Sequence, residues 1–177
     1  KYKKTAQKMA SLGLPVEWMD EEQIAKFNIK RFVGGALYKG DGSISASLLT
    51  RKIFGLSNAD LISGFHVDSL ESHNGKVIAR GDQGEVVATT AYSALNPFTS
   101  KLIPQAKDRI RPVRAQIFET TAVAPFLPFN VYASDELAYF RQTHKNTILM
   151  GGQRGVDEHA EETDQEDVNP KIQSSLE

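Results

Sequence analysis

Apolar and polar positions along the chain begin at helical spacing and pass into strand-like alternation. Residues 1 to 12 place Ala6, Met9 and Ala10 on one side of a short basic helix, which Gly13 and Pro15 stop. After LPVEW, Asp20 with Gln23 three residues on forms a capping box for a helix through about Phe27 that buries Ile24 and Phe27. The texture then changes. RFVGGALYKGDGSI is rich in glycine and β-formers, and its GDG predicts a turn or hairpin. Ser45 is placed to cap a helix over Ala46 to Phe54, with Leu48, Leu49 and Ile53 facing in and Gly55 ending it.

From Leu61 the pattern is one of strands. LISGFHVDSLES, KVIARG and EVVATTAYSAL are separated by the turns HNG and DQG, which predicts a β-meander. Asn96 and Pro97 break it, Thr99 to Ile103 form a helical turn, and Pro104 closes that segment. A second antiparallel group follows in RPVRAQIFETT, FNVYAS, ELAYFRQT and TILMGGQR, with turns at SD and HKN. Within ELAYFRQT a period of two puts Leu137, Tyr139 and Arg141 on one face and Ala138, Phe140 and Gln142 on the other. The predicted class is α+β: antiparallel sheets with a few short helices. Three regions are expected: a helical lead-in over 1–30, a mixed region of meander and second sheet over 31–156, and a tail over 157–177. The tail run VDEHAEETDQED carries carboxylates and no lysine or arginine, so it is expected to be exposed or weakly ordered.

Charge and composition narrow the chemistry. With 21 basic and 22 acidic side chains the chain is close to neutral, unlike a general polyanion binder. In RIRPVRAQIFETT, alternation separates Arg109, Arg111 and Val113 from Ile110, Pro112 and Arg114, so the arginines do not form the single strip that nucleic acid needs. Arg114 and Gln116 point the same way. The absence of cysteine excludes disulfides, thiolate metal sites and a cysteine nucleophile, and fits a cytoplasmic location. No apolar run has the length of a membrane span. The chain starts on lysine and is expected to begin inside a longer one.

Standard site signatures are missing. A dinucleotide fingerprint started at Gly40 would need glycine at 45, which is serine, and NGKV has no hydroxyl after its lysine to complete a phosphate loop. The glycines at 34, 35, 40, 42, 151 and 152 are read as turn residues. His159 among its carboxylates lacks the converging ligands of a metal site, and no metal is expected. His66 is placed in a strand and His144 at a hairpin tip. Tyr139 with Arg141 is the pair that carries chemistry: a guanidinium grips a carboxylate through two parallel hydrogen bonds, and a tyrosine beside it supplies an amphipathic wall.

Taken in order, several segments resemble the middle of FAD-dependent amine oxidoreductases related to D-amino-acid oxidase, glycine oxidase and γ-glutamylputrescine oxidase. LGLPVEWMDEEQI resembles the family's Leu-Gly-x-x-Val-Glu-Trp-Leu-Asp stretch. GALYKGDGSISASLL resembles its Gly-Leu-Tyr, Gly-Gly-Ser, Pro-x-x-Leu stretch, with Ala46 where proline is usual. ADLISGFHVDSLES is similar to the strand after the helix. SALNPFTSKLIP matches Ala-Thr-Asn-Ala-Tyr-Thr-x-x-Leu-Pro with Leu95, Pro97 and Phe98 substituted, and IRPVRAQ matches Ile-x-Pro-Val-Arg-Gly-Gln with Ala115 substituted. YFRQTHKNTILMGGQR resembles Tyr-x-Arg-x-Thr-x-x-x-x-Ile-Leu-x-Gly-Gly.

The resemblance runs from about Leu12 to Arg154 and implies an internal portion of such an enzyme. The N-terminal Rossmann βαβ unit that holds the FAD pyrophosphate, and the glycine-rich segment beside the flavin, lie outside it. It implies a cofactor domain and a substrate domain between which the chain crosses twice, so the meander would belong to the first and the second sheet to the second. By resemblance, Val67 meets the adenine side of FAD through its backbone, Ala94 lies close to the cofactor, and Asn96 shares that motif. Tyr139 and Arg141 face the substrate pocket, with Arg114 and Gln116 near it. The substrate implied is a small amine or amino acid, oxidised to an imine by FAD held in the parent protein. No catalytic base stands out. The portion alone is expected to bind no FAD, to be inactive, and to need the flanking segments of its parent chain as partners. The rival reading is a stand-alone α+β binding module without catalytic activity.

Overall fold

The structure is a computed structural model that describes residues 1–135 and 137–177. It is α+β, with three small antiparallel sheets and short helices, and its backbone groups into two compact units. Residues 1–46 and 117–152 form one unit; 47–116 and 153–175 form the other.

The first unit opens with helix α1 (Tyr2–Ser11), whose Ala6 is buried. Strand β1 (Val16–Asp20) follows and runs straight into α2 (Glu21–Ala25). Asp20 ends the strand and caps the helix: its Oδ1 accepts from Gln23 N at 2.9 Å, and Gln23 Oε1 accepts from Asp20 N at 2.9 Å. The reciprocal bonds satisfy donors that the first helical turn leaves open. Strand β2 (Gly34–Tyr38) pairs antiparallel with β1, Val16 opposite Tyr38 and Asp20 opposite Gly34. The lead-in is therefore not purely helical, and β2 finds its partner before it rather than across GDG. Gly34 and Gly35 are strand residues, not turn residues. At Gly34 the Trp18 indole occupies the place of a Cβ, and φ is +156°, so the ring closes over bare backbone.

The second sheet of this unit has the order β6 (Ile117–Glu119), β9 (Ile148–Gly152), β8 (Ala138–Gln142), β7 (Val131–Ala133), all antiparallel. The expected strand ELAYFRQT is ordered from Ala138, and Glu136 lies outside the described residues. Register sets the two faces. Phe118, Met150, Phe140 and Val131 stand in one cross-strand row, and Phe140 and Val131 pack against the buried cluster of Ile24, Ile29 and Leu127. Phe27 meets Phe129 edge-on, with ring centroids 4.8 Å apart. Gln142, on the same face as Phe140, binds the preceding loop: its Oε1 accepts from Phe126 N and Leu127 N at 2.8 and 3.1 Å, and its Nε2 donates to Ala124 O at 3.1 Å.

The second unit holds helix α3 (Ala46–Leu56) and the meander β3 (Val67–His73), β4 (Lys76–Gly81), β5 (Gly84–Ala88), in the expected order and with the expected turns. The helix does not bury the face that its pattern predicts: Leu48 is 58% exposed and Ile53 59%. It also continues through Gly55 to Leu56. His66 precedes β3 rather than lying in it. Helix α4 (Thr99–Leu102) follows the Asn96–Pro97 break, and α5 (Pro170–Leu176) closes the chain. Among the described residues, no helix is long and apolar enough to cross a membrane.

Candidate functional site

Strand β8 presents Tyr139 and Arg141 on the sheet face opposite the apolar cluster. Their cross-strand partners are Gly151 for Tyr139 and Leu149 for Arg141, so a small floor residue sits beside the ring and an aliphatic one beside the guanidinium. Tyr132 stands opposite Tyr139 on β7. Tyr139, Arg141 and Leu149, with Asn130, line an open cavity of about 330 Å³, whose lining also includes Val131 and Phe140 of the strands that carry the apolar row. Among the described residues, its walls hold one cation and no carboxylate. Arg141 Nη1 donates to Ile44 O at 3.1 Å, which fixes the side chain while leaving further N–H donors on the guanidinium fork. Such a concavity, with one charged fork among apolar and aromatic walls, suits a small anion carrying an apolar body.

Arg114 and Gln116 come together elsewhere, in the second unit, around the buried carboxylate of Glu161. Glu161 is 0% exposed. Its Oε2 accepts from Arg114 Nε at 3.1 Å and Gln116 Nε2 at 3.2 Å, and its Oε1 from Arg114 Nη2 at 2.8 Å and Asn169 Nδ2 at 2.9 Å. Arg114 also donates Nη1 to Gln165 O at 3.2 Å, and its backbone N to Glu161 O at 2.8 Å. These bonds favour the charged carboxylate, the one from Arg114 most, and against the cost of burial they lower the Glu161 pKa to about 2. The same contact raises Arg114 above its ordinary value.

The acidic run is thus not uniformly exposed. It draws cations from elsewhere in the same unit: Lys101 Nζ lies 2.7 Å from Asp164 Oδ2, Arg111 Nη1 3.8 Å from Glu162 Oε2, and Lys171 Nζ 3.2 Å from Asp157 Oδ2. Asp164 is lowered mainly by its Lys101 hydrogen bond, and Asp157 mainly by that of Asn169, then Lys171. The signal that the sequence reading missed is Asn169 followed by Pro170. Asn169 Oδ1 accepts from Lys171 N, Pro170 takes the first helical position, and Ile172 is fully buried behind them.

Val67, Ala94 and Asn96 also lie in the second unit. Val67 starts β3 opposite Gly81, with a register shift before Ser69. Because β3 is an edge strand, backbone N–H and C=O groups on its open side remain for a ligand. Ala94 is exposed after the meander, and Asn96 takes a left-handed φ of +49° where the chain turns into the 3₁₀ segment Asn96–Phe98. An open strand edge and exposed backbone fit contact with a flat heteroaromatic ring, as the adenine of a dinucleotide presents. The described residues hold no glycine-rich strand-to-helix turn for a pyrophosphate.

Comparison with known proteins decides the family. The family profile described as FAD dependent oxidoreductase (DAO) matches residues 1–176. The chain belongs to the FAD-dependent oxidoreductase family. Glycine oxidase from Geobacillus kaustophilus has a similar fold, with a TM-score of 0.72 at 16% identity over 98% of this chain and 47% of that one. NikD, an unusual amino acid oxidase essential for nikkomycin biosynthesis, is similar in its open form, with a TM-score of 0.62 at 18% identity over 86% of this chain and 44% of that one. The chain spans less than half the length of either structure. A search of curated proteins gives no match.

Proposed function

We propose that residues 1–177 are the central portion of an enzyme that oxidises a small amino acid or related amine to an imine, and that the cavity beside Tyr139 and Arg141 takes the substrate. The observation carrying this reading is the placement of one guanidinium and one tyrosine on the sheet face opposite the apolar cluster, lining a cavity with no carboxylate among its described residues, in a chain of this family. Arg141 grips the substrate carboxylate, and Tyr139 and Leu149 pack along its body. Held this way, the carbon bearing nitrogen is presented in one orientation, and the apolar walls keep water from it. A bound FAD supplies acceptance of hydride from that carbon, and the imine product hydrolyses in water. Val67 would meet the adenine side of that cofactor through its backbone, Ala94 would lie close to the cofactor, and Asn96 belongs to the same segment. Arg114 and Gln116 are read as fasteners of the acidic segment, since their donors already serve Glu161.

The exposure of Leu48, Ile53 and Leu56 favours a portion of a larger enzyme over the stand-alone binding module, because an autonomous domain would not leave this helical stripe bare. Titrating the purified chain with FAD, followed by flavin fluorescence, tests the reading. No saturable binding and no oxidase activity are expected of residues 1–177 by themselves; stoichiometric FAD on these residues overturns the proposal.

A further inference from the structure

We infer that Asn130 is a second carboxylate-binding residue of the Tyr139–Arg141 cavity, and that Ser43 positions it. The inference rests on the reading of that cavity as a carboxylate site. Val131 pairs with Phe140, so Asn130, one residue earlier, continues the register opposite Arg141 on the same face. Directly opposed antiparallel residues have Cβ atoms about 4.5–5.5 Å apart, close enough for two side chains to serve one ligand group. Asn130 lines the cavity with Arg141.

The chemistry of the amide is set by its neighbour. Ser43 Oγ donates to Asn130 Oδ1 at 2.7 Å. With its oxygen so engaged, the amide presents Nδ2, which donates and cannot accept. The residue after Ser43 supplies the carbonyl that holds Arg141 Nη1. One loop after β2 therefore orients both donors, and both suit an acceptor that carries negative charge. A carboxylate meets an Nδ2–H on one oxygen and guanidinium N–H groups on the other, a contact that an uncharged amide ligand satisfies poorly.

The test is a calorimetric titration of the natural gene product that contains these residues with phenylacetate, with phenylacetamide as the uncharged control. Wild type is expected to bind phenylacetate in preference to the amide. Asn130→Asp, which sets a carboxylate against the ligand, is expected to weaken binding by about tenfold or more, and Asn130→Ala by about five- to tenfold. Ser43→Ala leaves the amide free to turn and is expected to weaken binding by roughly two- to fivefold, with Ser43→Thr restoring it. Thermal melts verify that each variant is folded. Unchanged affinity in Asn130→Asp and Asn130→Ala, alongside loss in Arg141→Gln, overturns the role of Asn130 and leaves the pocket reading standing. Unchanged affinity in Arg141→Gln, or no binding by wild type, overturns the pocket reading itself.

Discussion

Glu161 shows how much a single side chain settles here. In the sequence it is one carboxylate in an acidic run, and solvation is the natural expectation for such a run. In the fold it is buried and fully hydrogen-bonded, with Arg114 as its ionic partner. A buried pair of this kind adds less net stability than its geometry implies, but removing one partner leaves the others stranded. Glu161→Leu is therefore expected to lower Tm by on the order of 5 °C at neutral pH in a thermal melt. The pH dependence follows from the direction of the shift. With the carboxyl lowered from 4.5 to about 2, its contribution is complete above about pH 4.5 and is lost as pH falls from there through about 2. Glu161→Gln should flatten that part of the acid-unfolding curve; an unaltered profile would show that the network does not hold the segment.

At the scale of elements, local chemistry was read well and partnership less so. The capping box at Asp20 and Gln23, the three-strand meander with its HNG and DQG turns, and the common face of Tyr139 and Arg141 all follow from short-range rules, and all are present. What short-range rules do not carry is the identity of the neighbour. β2 looked like half of a hairpin through GDG, yet pairs with β1, because VEWMD supplies a matching edge and Trp18 covers the bare backbone of Gly34. For α3 the period identified the apolar stripe, but nothing in a period says what covers it. If the stripe is open in this chain, Leu48→Gln with Ile53→Gln should leave Tm nearly unchanged and reduce light scattering on concentration, as exposed substitutions do. A drop of many degrees would instead mean that the helix is packed. The same limit applied to the candidate site: the alternation found Tyr139 and Arg141, but Asn130 becomes visible only once the register of β7 on β8 is known.

For the whole molecule, near-neutral charge proved a better guide than the local runs. The basic cluster around Arg109 and the acidic run after Asp157 looked like separate features in sequence. In the fold Arg111 and Arg114 meet Glu162 and Glu161, so much of each charge is matched within one unit. The cavity arginine, Arg141, has no carboxylate among the described residues lining its cavity, which supports the proposal that substrate is held there. The most direct measurement uses the natural gene product that contains these residues, purified with its flavin, and follows loss of oxidised-flavin absorbance under anaerobic mixing with amino acids. The account predicts bleaching that saturates, with Arg141→Gln raising the half-saturating concentration by about tenfold or more through loss of the charge-assisted contact. A gene product without flavin, or one whose saturation is indifferent to Arg141, would contradict it.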